Sequence, residues 1–315
     1  MAVLQALLTP MSIDNEHVDF VVENSVQRRG LVNFGNTCYA NSILQVLFNV
    51  SDILQQQIYA GDCAFSSTLD RTFLDMSDTG SCSALRPTNF IADLTRIMPD
   101  YFRAEQQQDV PEVLQPVLDC LVESSYVEAI DFISVCRVYF ECNVCLANSI
   151  AREHYNVVPV QVSANIQSSI DHFVMPEQLN EENGWYCPQC NMPQVSMKTH
   201  TFEQVPNFLF LFLRRFNLHP TNGYVKCNDP VVISPSIIVN TVDAATDVSH
   251  RHHYDLNGCI HHTGDFQQGH YTASVKTNST WLHCNDRLVQ ETTAESLDKN
   301  SVYVLLYKKA LPALS

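Results

Sequence analysis

Apolar residues recur at helical spacing through the first half of the chain. Residues 41–48 repeat apolar side chains every three or four positions, which predicts a helix beginning near Cys38. The run Arg-Pro-Thr-Asn at 86–89 is typical of a second helix start. A third helix is predicted from about Gln108, and Pro116 is expected to kink it or to delay its start.

The second half changes to segments rich in β-branched and aromatic residues, which predict strands. These segments are 138–140, 155–162, 208–216, 254–260, 270–276 and 302–307. His250, His252 and His253 are expected to lie in a solvated loop. Helices followed by a sheet, with a cysteine-rich insert between them, predict an α+β fold with the active site in the cleft between the two halves.

Composition narrows the class of protein. The chain has 315 residues, 45% of them hydrophobic and 17% charged, which is typical of an ordered globular protein. Its formal net charge of -16 argues against a nucleic-acid-binding protein. The start of the chain does not resemble a signal peptide, and the apolar run Phe208–Leu213 is too short to cross a membrane. We therefore expect an intracellular protein of the cytoplasm or nucleus, with no membrane contact.

One cysteine lies where a glycine-bearing loop enters a helix. It is Cys38, in the sequence Gly-Leu-Val-Asn-Phe-Gly-Asn-Thr-Cys-Tyr-Ala-Asn-Ser that starts at Gly30. A helix N-terminus favours the thiolate and offers N–H groups to an oxyanion, so a lowered thiol pKa is expected here. A lone cysteine is more often an inert buried residue, so the prediction needs a partner base.

Histidine and amide residues that could complete such a site lie far downstream. Two predicted strands flank a loop, and His270 opens the second of them. An imidazole beside a thiolate can stabilise it and protonate a leaving amine. Asn285 and Asp286 follow further downstream, and a polar side chain there could orient that imidazole.

Two Cys-x-x-Cys pairs lie between these regions. Cys142 and Cys145 form the first pair, and Cys187 and Cys190 form the second. Four thiolates can enclose a tetrahedral structural zinc ion. Unrelated cysteines are the alternative, but two such pairs favour zinc, and neither pair opens a helix as a redox pair would.

The order of these motifs resembles the ubiquitin-specific protease family. The stretch 30–48 resembles its cysteine box, 254–286 its histidine box and 107–114 its glutamine-aspartate box. The run 205–216 is similar to the strand before the first blocking loop, and 302–307 to the closing strand. The resemblance therefore covers nearly the whole chain.

This resemblance implies roles for particular residues. Cys38 would be the nucleophile and His270 the general base, with Asn285 in the third triad position. Asn33 would supply the oxyanion-hole amide, and Asp286 would assist in orienting the base. Asn285 lacks the charge of the aspartate that many members carry, which leaves the rate of turnover the more open question.

The same resemblance implies how the substrate binds. Asp109 would grip an arginine in the C-terminal tail of ubiquitin, and Gln108, Gly269 and Tyr271 would also contact the substrate. Pro111 is expected to interrupt the glutamine-aspartate helix.

The implied fold is a papain-like α+β peptidase with a helical thumb, a β palm and zinc-ribbon fingers. Residues 1–29 would be a lead-in and 30–310 the catalytic domain. Within it, the thumb would span about 30–130, the fingers about 136–205 and the palm about 206–310.

Short motifs narrow the resemblance further. They are similar to the branch that acts on the replication sliding clamp and on Fanconi-anaemia proteins, whose members a WD40-repeat partner activates. The expected partners are thus ubiquitin or ubiquitinated proteins and such an activator. Three alternatives stay open at this stage: a ubiquitin-binding pseudoenzyme, a protease of a ubiquitin-like modifier, and a zinc-ribbon protein that binds nucleic acid, which the charge disfavours.

Overall fold

The structure is a computed structural model. It describes residues 28–51, 64–78, 83–98, 106–123, 128–180, 183–219, 221, 223–266, 268–278 and 280–311. The predicted lead-in therefore lies outside the described residues, except for its last two positions. Arg28 is buried, and its guanidinium donates hydrogen bonds to Gln45 and Asn49, so the described chain begins already anchored.

The helical part precedes the strands, as predicted. Its helices are α1 (Cys38–Phe48), α2 (Ala64–Ser77), α3 (Thr88–Ile97), α4 (Val110–Glu123) and α5 (Ala129–Phe132), and α6 (Ile166–Val174) follows later. Every residue of α1 except the last is buried, because α1 packs against both α4 and the larger of the two sheets described below.

Two proline predictions for α4 need correction. The helix begins at Val110 and continues through Pro116 to Glu123, so its start is not delayed. A proline inside a helix loses one backbone hydrogen bond, and the apolar face of α4 buried on both sides of Pro116 offsets that loss. Pro111 occupies the first turn, where its missing N–H has no helical acceptor anyway, so it does not interrupt the helix.

The strands form two main sheets. They are β1 (Ser134–Cys142), β2 (Asn148–Tyr155), β3 (Val157–Val160), β4 (Glu177–Leu179), β5 (Trp185–Cys187), β6 (Met192–Gln194), β7 (Ser196–Gln204), β8 (Phe208–Leu213), β9 (Phe216–His219), β10 (Gly223–Lys226), β11 (Ser236–Val242), β12 (Ser249–Gly264), β13 (Gly269–Thr277), β14 (Thr280–Asn285), β15 (Leu288–Thr292) and β16 (Val302–Lys309).

The larger sheet has the order β15-β14-β13-β12-β16-β8-β3, with β11 paired to the first half of β12. The smaller sheet has the order β2-β1-β7-β4, and β5 and β6 form a hairpin beside it. One apolar core lies between the helices and the large sheet, and a second lies on the sheet's other face under α6. The predicted α+β fold is confirmed.

One predicted loop is a strand. His250, His252 and His253 all lie in β12, which begins at Ser249 and pairs with β11. Backbone pairing supports this exposed stretch, and Nε2 of His252 lies 2.9 Å from Oγ1 of Thr241. The pattern of this segment is not typical of a strand, because it has polar residues at consecutive positions, of which His250 and His253 are exposed and His252 is half-buried.

None of the helices in the described part of the chain is both long and apolar enough to cross a membrane.

Candidate active site

Cys38 is the first residue of α1, at the junction between the helices and the large sheet. Its side chain is almost fully covered, with 2% of the residue exposed. The backbone N–H groups of Tyr271 and Tyr39 both hydrogen-bond its sulfur. Tyr271 follows His270 directly in β13, so the fold brings the beginning of that strand against the thiol.

The protonation of this thiol differs from the prediction. Burial raises the pKa of Cys38 above its ordinary value, and the charge of Asp286 raises it further. The N–H groups of Tyr271 and Tyr39 lower the pKa, but by less than burial raises it. The helix N-terminus therefore does not by itself produce a thiolate in the unliganded protein.

His270 and Asn285 form a hydrogen-bonded pair. Nε2 of His270, at the start of β13, lies 2.8 Å from Oδ1 of Asn285, at the end of β14. An amide oxygen accepts, so the imidazole carries its proton on Nε2 and its Nδ1 is left as an acceptor. This is the tautomer that can take a proton from a neighbouring thiol.

Asp286 contacts the loop before α1 and not the imidazole. Its two carboxylate oxygens accept hydrogen bonds from Nδ2 of Asn33 at 2.9 Å and from Nδ2 of Asn41 at 2.7 Å. Oδ1 of Asn33 in turn accepts the backbone N–H of Thr37 at 3.0 Å. Both the nitrogen and the oxygen of the Asn33 side-chain amide are therefore held by hydrogen bonds, five residues before Cys38.

A close approach of two backbones makes this contact possible. The N–H of Leu31 donates to the carbonyl of Asp286 at 2.8 Å. A Cβ on Gly30 would lie 2.1 Å from the carbonyl oxygen of Arg287, so a side chain at position 30 would separate the segments. Asp286 itself has a positive φ of 49°, a conformation that aspartate tolerates better than most residues.

Asp109 lies in a separate cleft of about 220 Å³, which we call the inner cleft. Its carboxylate accepts hydrogen bonds from the hydroxyls of Tyr271 at 2.9 Å and Tyr303 at 3.0 Å. Burial raises the pKa of Asp109 to about 6, against the opposing effect of these two hydroxyls. Gln108 also lines the cleft, with two further carboxylates, those of Glu112 and Asp265.

The backbone before His270 is held by a side chain from the helical half. Nε2 of Gln107 donates to the carbonyl of Gly269 at 2.6 Å, and the N–H of Gly269 donates to Oε1 of Gln107 at 2.9 Å. A Cβ on Gly269 would lie 2.0 Å from Nε2 of His262, so this position requires glycine. Gln107 therefore ties the two halves together next to His270.

The four cysteines of the two Cys-x-x-Cys pairs come together at the end of the small sheet. All four sulfurs lie within 4.8 Å of one another. Cys142 Sγ lies 3.9 Å from Cys190 Sγ, and Cys145 Sγ lies 3.5 Å from Cys187 Sγ. A tetrahedron with metal–sulfur bonds of about 2.3 Å has edges of about 3.8 Å, so the cluster fits one zinc ion.

The two pairs also share one backbone conformation. The residue after each second cysteine, Leu146 or Asn191, has a positive φ of 62° or 57°. Each donates its N–H to the carbonyl of the first cysteine of its pair, at 2.9 Å and 2.8 Å. The two Cys-x-x-Cys turns thus have the same backbone geometry, which favours a metal site over four unrelated cysteines.

The sequence reasoning gave no role to three residues that the geometry makes important. Gln107 holds Gly269, Tyr303 donates to Asp109, and Asn41 holds Asp286. The signals were present, since Gln107 begins the glutamine-aspartate motif and Asn41 lies one helical turn after Cys38. Their partners, however, are distant in sequence and become evident only in the folded chain.

Comparison with known proteins shows the family. Residues 29–307 match a protein family that is described as "Ubiquitin carboxyl-terminal hydrolase". Probable ubiquitin carboxyl-terminal hydrolase 16 of Schizosaccharomyces pombe is 26% identical over 89% of this chain and 66% of its own length. Ubiquitin carboxyl-terminal hydrolase 8 of Saccharomyces cerevisiae is 25% identical over 90% of this chain and 72% of its own length. The chain thus spans about two thirds of these relatives.

A solved structure shares the fold. The Ubp8/Sgf11/Sus1/Sgf73 deubiquitinating module of SAGA, bound to ubiquitin aldehyde, superposes with a TM-score of 0.73 at 22% identity. The match covers 91% of this chain and 71% of that one. The sequence match over nearly the whole domain and the shared fold together show that this chain belongs to the ubiquitin carboxyl-terminal hydrolase family.

Proposed function

We propose that this chain is a thiol-dependent deubiquitinase that hydrolyses the peptide or isopeptide bond after the C-terminal glycine of ubiquitin. The observation that carries the proposal is the hydrogen bond between His270 and Asn285, together with the backbone N–H of the next residue, Tyr271, which hydrogen-bonds the buried sulfur of Cys38. An intact base and its orienting amide favour an enzyme over a pseudoenzyme that only binds ubiquitin. The relatives named above also point to this activity.

The raised pKa of Cys38 defines the first proton transfer. The thiol is neutral at rest, so Nδ1 of His270 accepts its proton as the sulfur attacks the carbonyl carbon of ubiquitin's last glycine. The resulting imidazolium then protonates the leaving amine, and the carbon–nitrogen bond breaks to leave a thioester on Cys38. His270 next takes a proton from water as the water oxygen attacks the thioester carbon. The carbon–sulfur bond then breaks, His270 returns the proton to the sulfur, and ubiquitin leaves with a free carboxylate.

The negative charge that develops on the attacked carbonyl oxygen needs donors. The Asn33 amide gives one N–H to Asp286 and keeps a second for an oxyanion. The backbone N–H groups of Cys38 and Tyr39, which interact with the Cys38 sulfur at the start of α1, would be further donors to that oxygen. Asp286 in this scheme is a positioning residue for Asn33.

The inner cleft suits the basic tail of ubiquitin. Asp109, Glu112 and Asp265 supply three carboxyl groups, and none of the described residues that line this cleft is a lysine or an arginine. An arginine of the Arg-Gly-Gly tail would pair with Asp109, and the glycines would pass beside Gly269 and Tyr271 towards Cys38. Gln108 lies on the same wall and would contact the tail as well.

Cys142, Cys145, Cys187 and Cys190 would hold one structural zinc ion. With four protein ligands the site has no open position for chemistry, so the metal would serve only to join the β1–β2 turn to the β5–β6 hairpin. That connection would stiffen the small sheet as a surface for the body of ubiquitin.

Finer assignments remain predictions. The domain limits of 30–310 and its three parts, the sliding-clamp branch, the WD40-repeat activator and the absence of nucleic-acid binding rest on the sequence alone. The intracellular location also stays a prediction.

The test is the release of aminocoumarin from a ubiquitin C-terminal amide, with the wild type and Cys38→Ala. We expect turnover by the wild type only, and labelling of Cys38 by ubiquitin carrying a C-terminal electrophile. Ubiquitin binding without turnover or labelling would instead support the pseudoenzyme. Turnover of an amide of a ubiquitin-like modifier, and not of ubiquitin, would change the substrate but keep the mechanism.

A further inference from the structure

A second cleft lies on the other side of His270, and we call it the outer cleft. It has a volume of about 460 Å³, and His270 and Asn285 form part of its wall. The inner and outer clefts share no lining residue. Residues of the strands β12 and β13 line both clefts, and β13 carries the proposed base.

Strand register explains why these clefts are separate. In the β12–β13 pair, His262 lies opposite Tyr271, and both line the inner cleft. Thr263 lies opposite His270 one position along, and both line the outer cleft. Since neighbouring residues of a strand point to opposite faces, the clefts lie on opposite faces of this pair.

The chemistry of the reaction assigns a side of the scissile bond to each cleft. The ubiquitin tail enters through the inner cleft, where Asp109 lies. The leaving amine must come within about 2.6–3.2 Å of the His270 imidazole, because that group protonates it. The chain that carries this amine therefore continues along the wall that His270 itself forms, and that wall belongs to the outer cleft.

We propose that the outer cleft binds the lysine-bearing segment of the modified protein, on the leaving-group side of the bond, and prefers segments with further basic residues. The proposal rests on the deubiquitinase function proposed above and adds a determinant of substrate choice. Four neighbouring strands, β12 to β15, line the cleft across about 14 Å, which accommodates about four extended residues.

The floor of the cleft is polar and already hydrogen-bonded. His261, Ser274 and Ser301 are 4%, 2% and 6% exposed. Oγ of Ser274 lies 3.3 Å from Nε2 of His261 and 3.1 Å from Nδ1 of His283, and Oγ of Ser301 lies 3.3 Å from Nδ1 of His261. A pre-organised polar floor suits the backbone of a peptide better than an apolar side chain.

The charge of the cleft is negative. Glu291 and Asp298 are exposed on its rim, and its lining contains no lysine or arginine within the part of the chain that the structure describes. Burial lowers the pKa of His261 to about 4 and also lowers that of His283, so both imidazoles are neutral near pH 7. The two carboxylates are therefore the charged groups identified in the lining, which favours a basic segment. Asp298 also interacts electrostatically with Arg215 and Lys226, so Glu291 is the carboxylate that the test varies.

The experiment compares leaving groups on one enzyme. Two substrates carry ubiquitin on the central lysine of a nine-residue peptide, flanked in one by arginines and in the other by glutamates. A third, ubiquitin–aminocoumarin, has no flanking chain. Each is assayed with the wild type, Glu291→Gln and Glu291→Lys. Asp255→Asn is the control for Glu291→Gln, because Asp255 is exposed on β12 and lines a different cleft.

We expect the wild type to have the higher kcat/KM for the basic peptide at low salt. Glu291→Gln should reduce the ratio of basic to acidic substrate. Glu291→Lys should reduce it further, by about three- to tenfold, because the reversed charge replaces an attraction to the basic peptide with a repulsion. The aminocoumarin rate and the control should not change. Added salt should bring the wild-type ratio towards one.

Two results would overturn the proposal. One is a wild type that cleaves both peptides equally, and the other is a ratio that Glu291→Lys leaves unchanged while aminocoumarin is still released. Failure of the wild type to release aminocoumarin would instead contradict the proposed function, and the outer cleft proposal with it.

Discussion

Asp286 accepts a hydrogen bond from the side-chain amide of Asn33 at 2.9 Å, across a separation of 253 residues in sequence. The same carboxylate accepts from Asn41, so it joins the loop before α1 to the first turn of that helix. Its charge also raises the pKa of Cys38. One carboxylate thus holds the proposed oxyanion donor and adds to the effect of burial, which is the main cause of the raised thiol pKa.

Asp286→Asn should separate these two effects. Removal of the negative charge lowers the pKa of Cys38, so alkylation of this thiol by iodoacetamide should become faster at pH 7. At the same time Asn33 loses a charged acceptor, and kcat should fall by about tenfold. The measurements are peptide-resolved alkylation rates and ubiquitin–aminocoumarin kinetics. A variant with faster alkylation and unchanged kcat would show that Asn33 needs no anchor.

Asn285 should act through its oxygen and not through a charge. Asn285→Ala removes the acceptor of the 2.8 Å hydrogen bond to His270, so the ring loses both its orientation and its fixed tautomer. We expect kcat to fall by about a hundredfold with little change in KM. Asn285→Asp keeps an acceptor in the same place and should keep most of the activity. Equal losses in both variants would contradict an orienting role.

Gln107 should be a positioning residue for the strand that carries His270. Gln107→Glu keeps the acceptor for the Gly269 N–H but sets a carboxylate against the Gly269 carbonyl. We expect about a tenfold fall in kcat/KM, while the melting temperature changes little because Gln107 is exposed. Gln268→Ala is the matched control, because Gln268 is an exposed glutamine directly before Gly269. A fall in melting temperature that accounts for the lost activity would make the residue merely structural.

How much of this site the sequence predicts depends on how far apart in the chain the contacting residues lie. Cys38, His270 and the cysteine pairs sit in short local motifs, and helical spacing alone located α1. The contacts of Asp286 with Asn33 and of Gln107 with Gly269 join segments far apart in the chain, and local patterns do not encode such pairings. The prediction of a lowered pKa for the Cys38 thiol was wrong for a related reason. Burial raises this pKa, and the burial of a side chain depends on the whole fold.

The raised pKa of Asp109 predicts a pH-dependent affinity for ubiquitin. Its carboxyl group has a pKa of about 6, so it is ionised at pH 7 and largely neutral at pH 5. An arginine pairs with the ionised form only, so the affinity should fall by about tenfold from pH 7 to pH 5. The measurement is the Kd of ubiquitin for Cys38→Ala, whose missing thiol removes turnover from the reading.

Two variants in the Cys38→Ala background test the assignment. Asp109→Asn should bind weakly at every pH. Glu112→Gln, on the same wall, should keep a pH dependence with its midpoint at lower pH, because the charge of Glu112 helps to raise the pKa of Asp109. The folded state binds the Asp109 proton more tightly than the unfolded chain, so ionisation lowers stability as the pH rises from about 4 to about 6. Unchanged pH dependence in Asp109→Asn would assign the effect to another group.

The cysteine cluster predicts one zinc ion per chain and a fold that depends on it. Cys190→Ser removes one of four ligands, so bound zinc measured by elemental analysis should fall from about one equivalent towards zero. The melting temperature should fall as well, because metal binding free energy contributes to folding. Cys227→Ser, at a half-buried cysteine outside the cluster, should keep both the metal and the stability. Ubiquitin binding should weaken in Cys190→Ser, whereas alkylation of Cys38 should change little, because the small sheet lies apart from α1. Full zinc content in Cys190→Ser would show that the metal is held elsewhere.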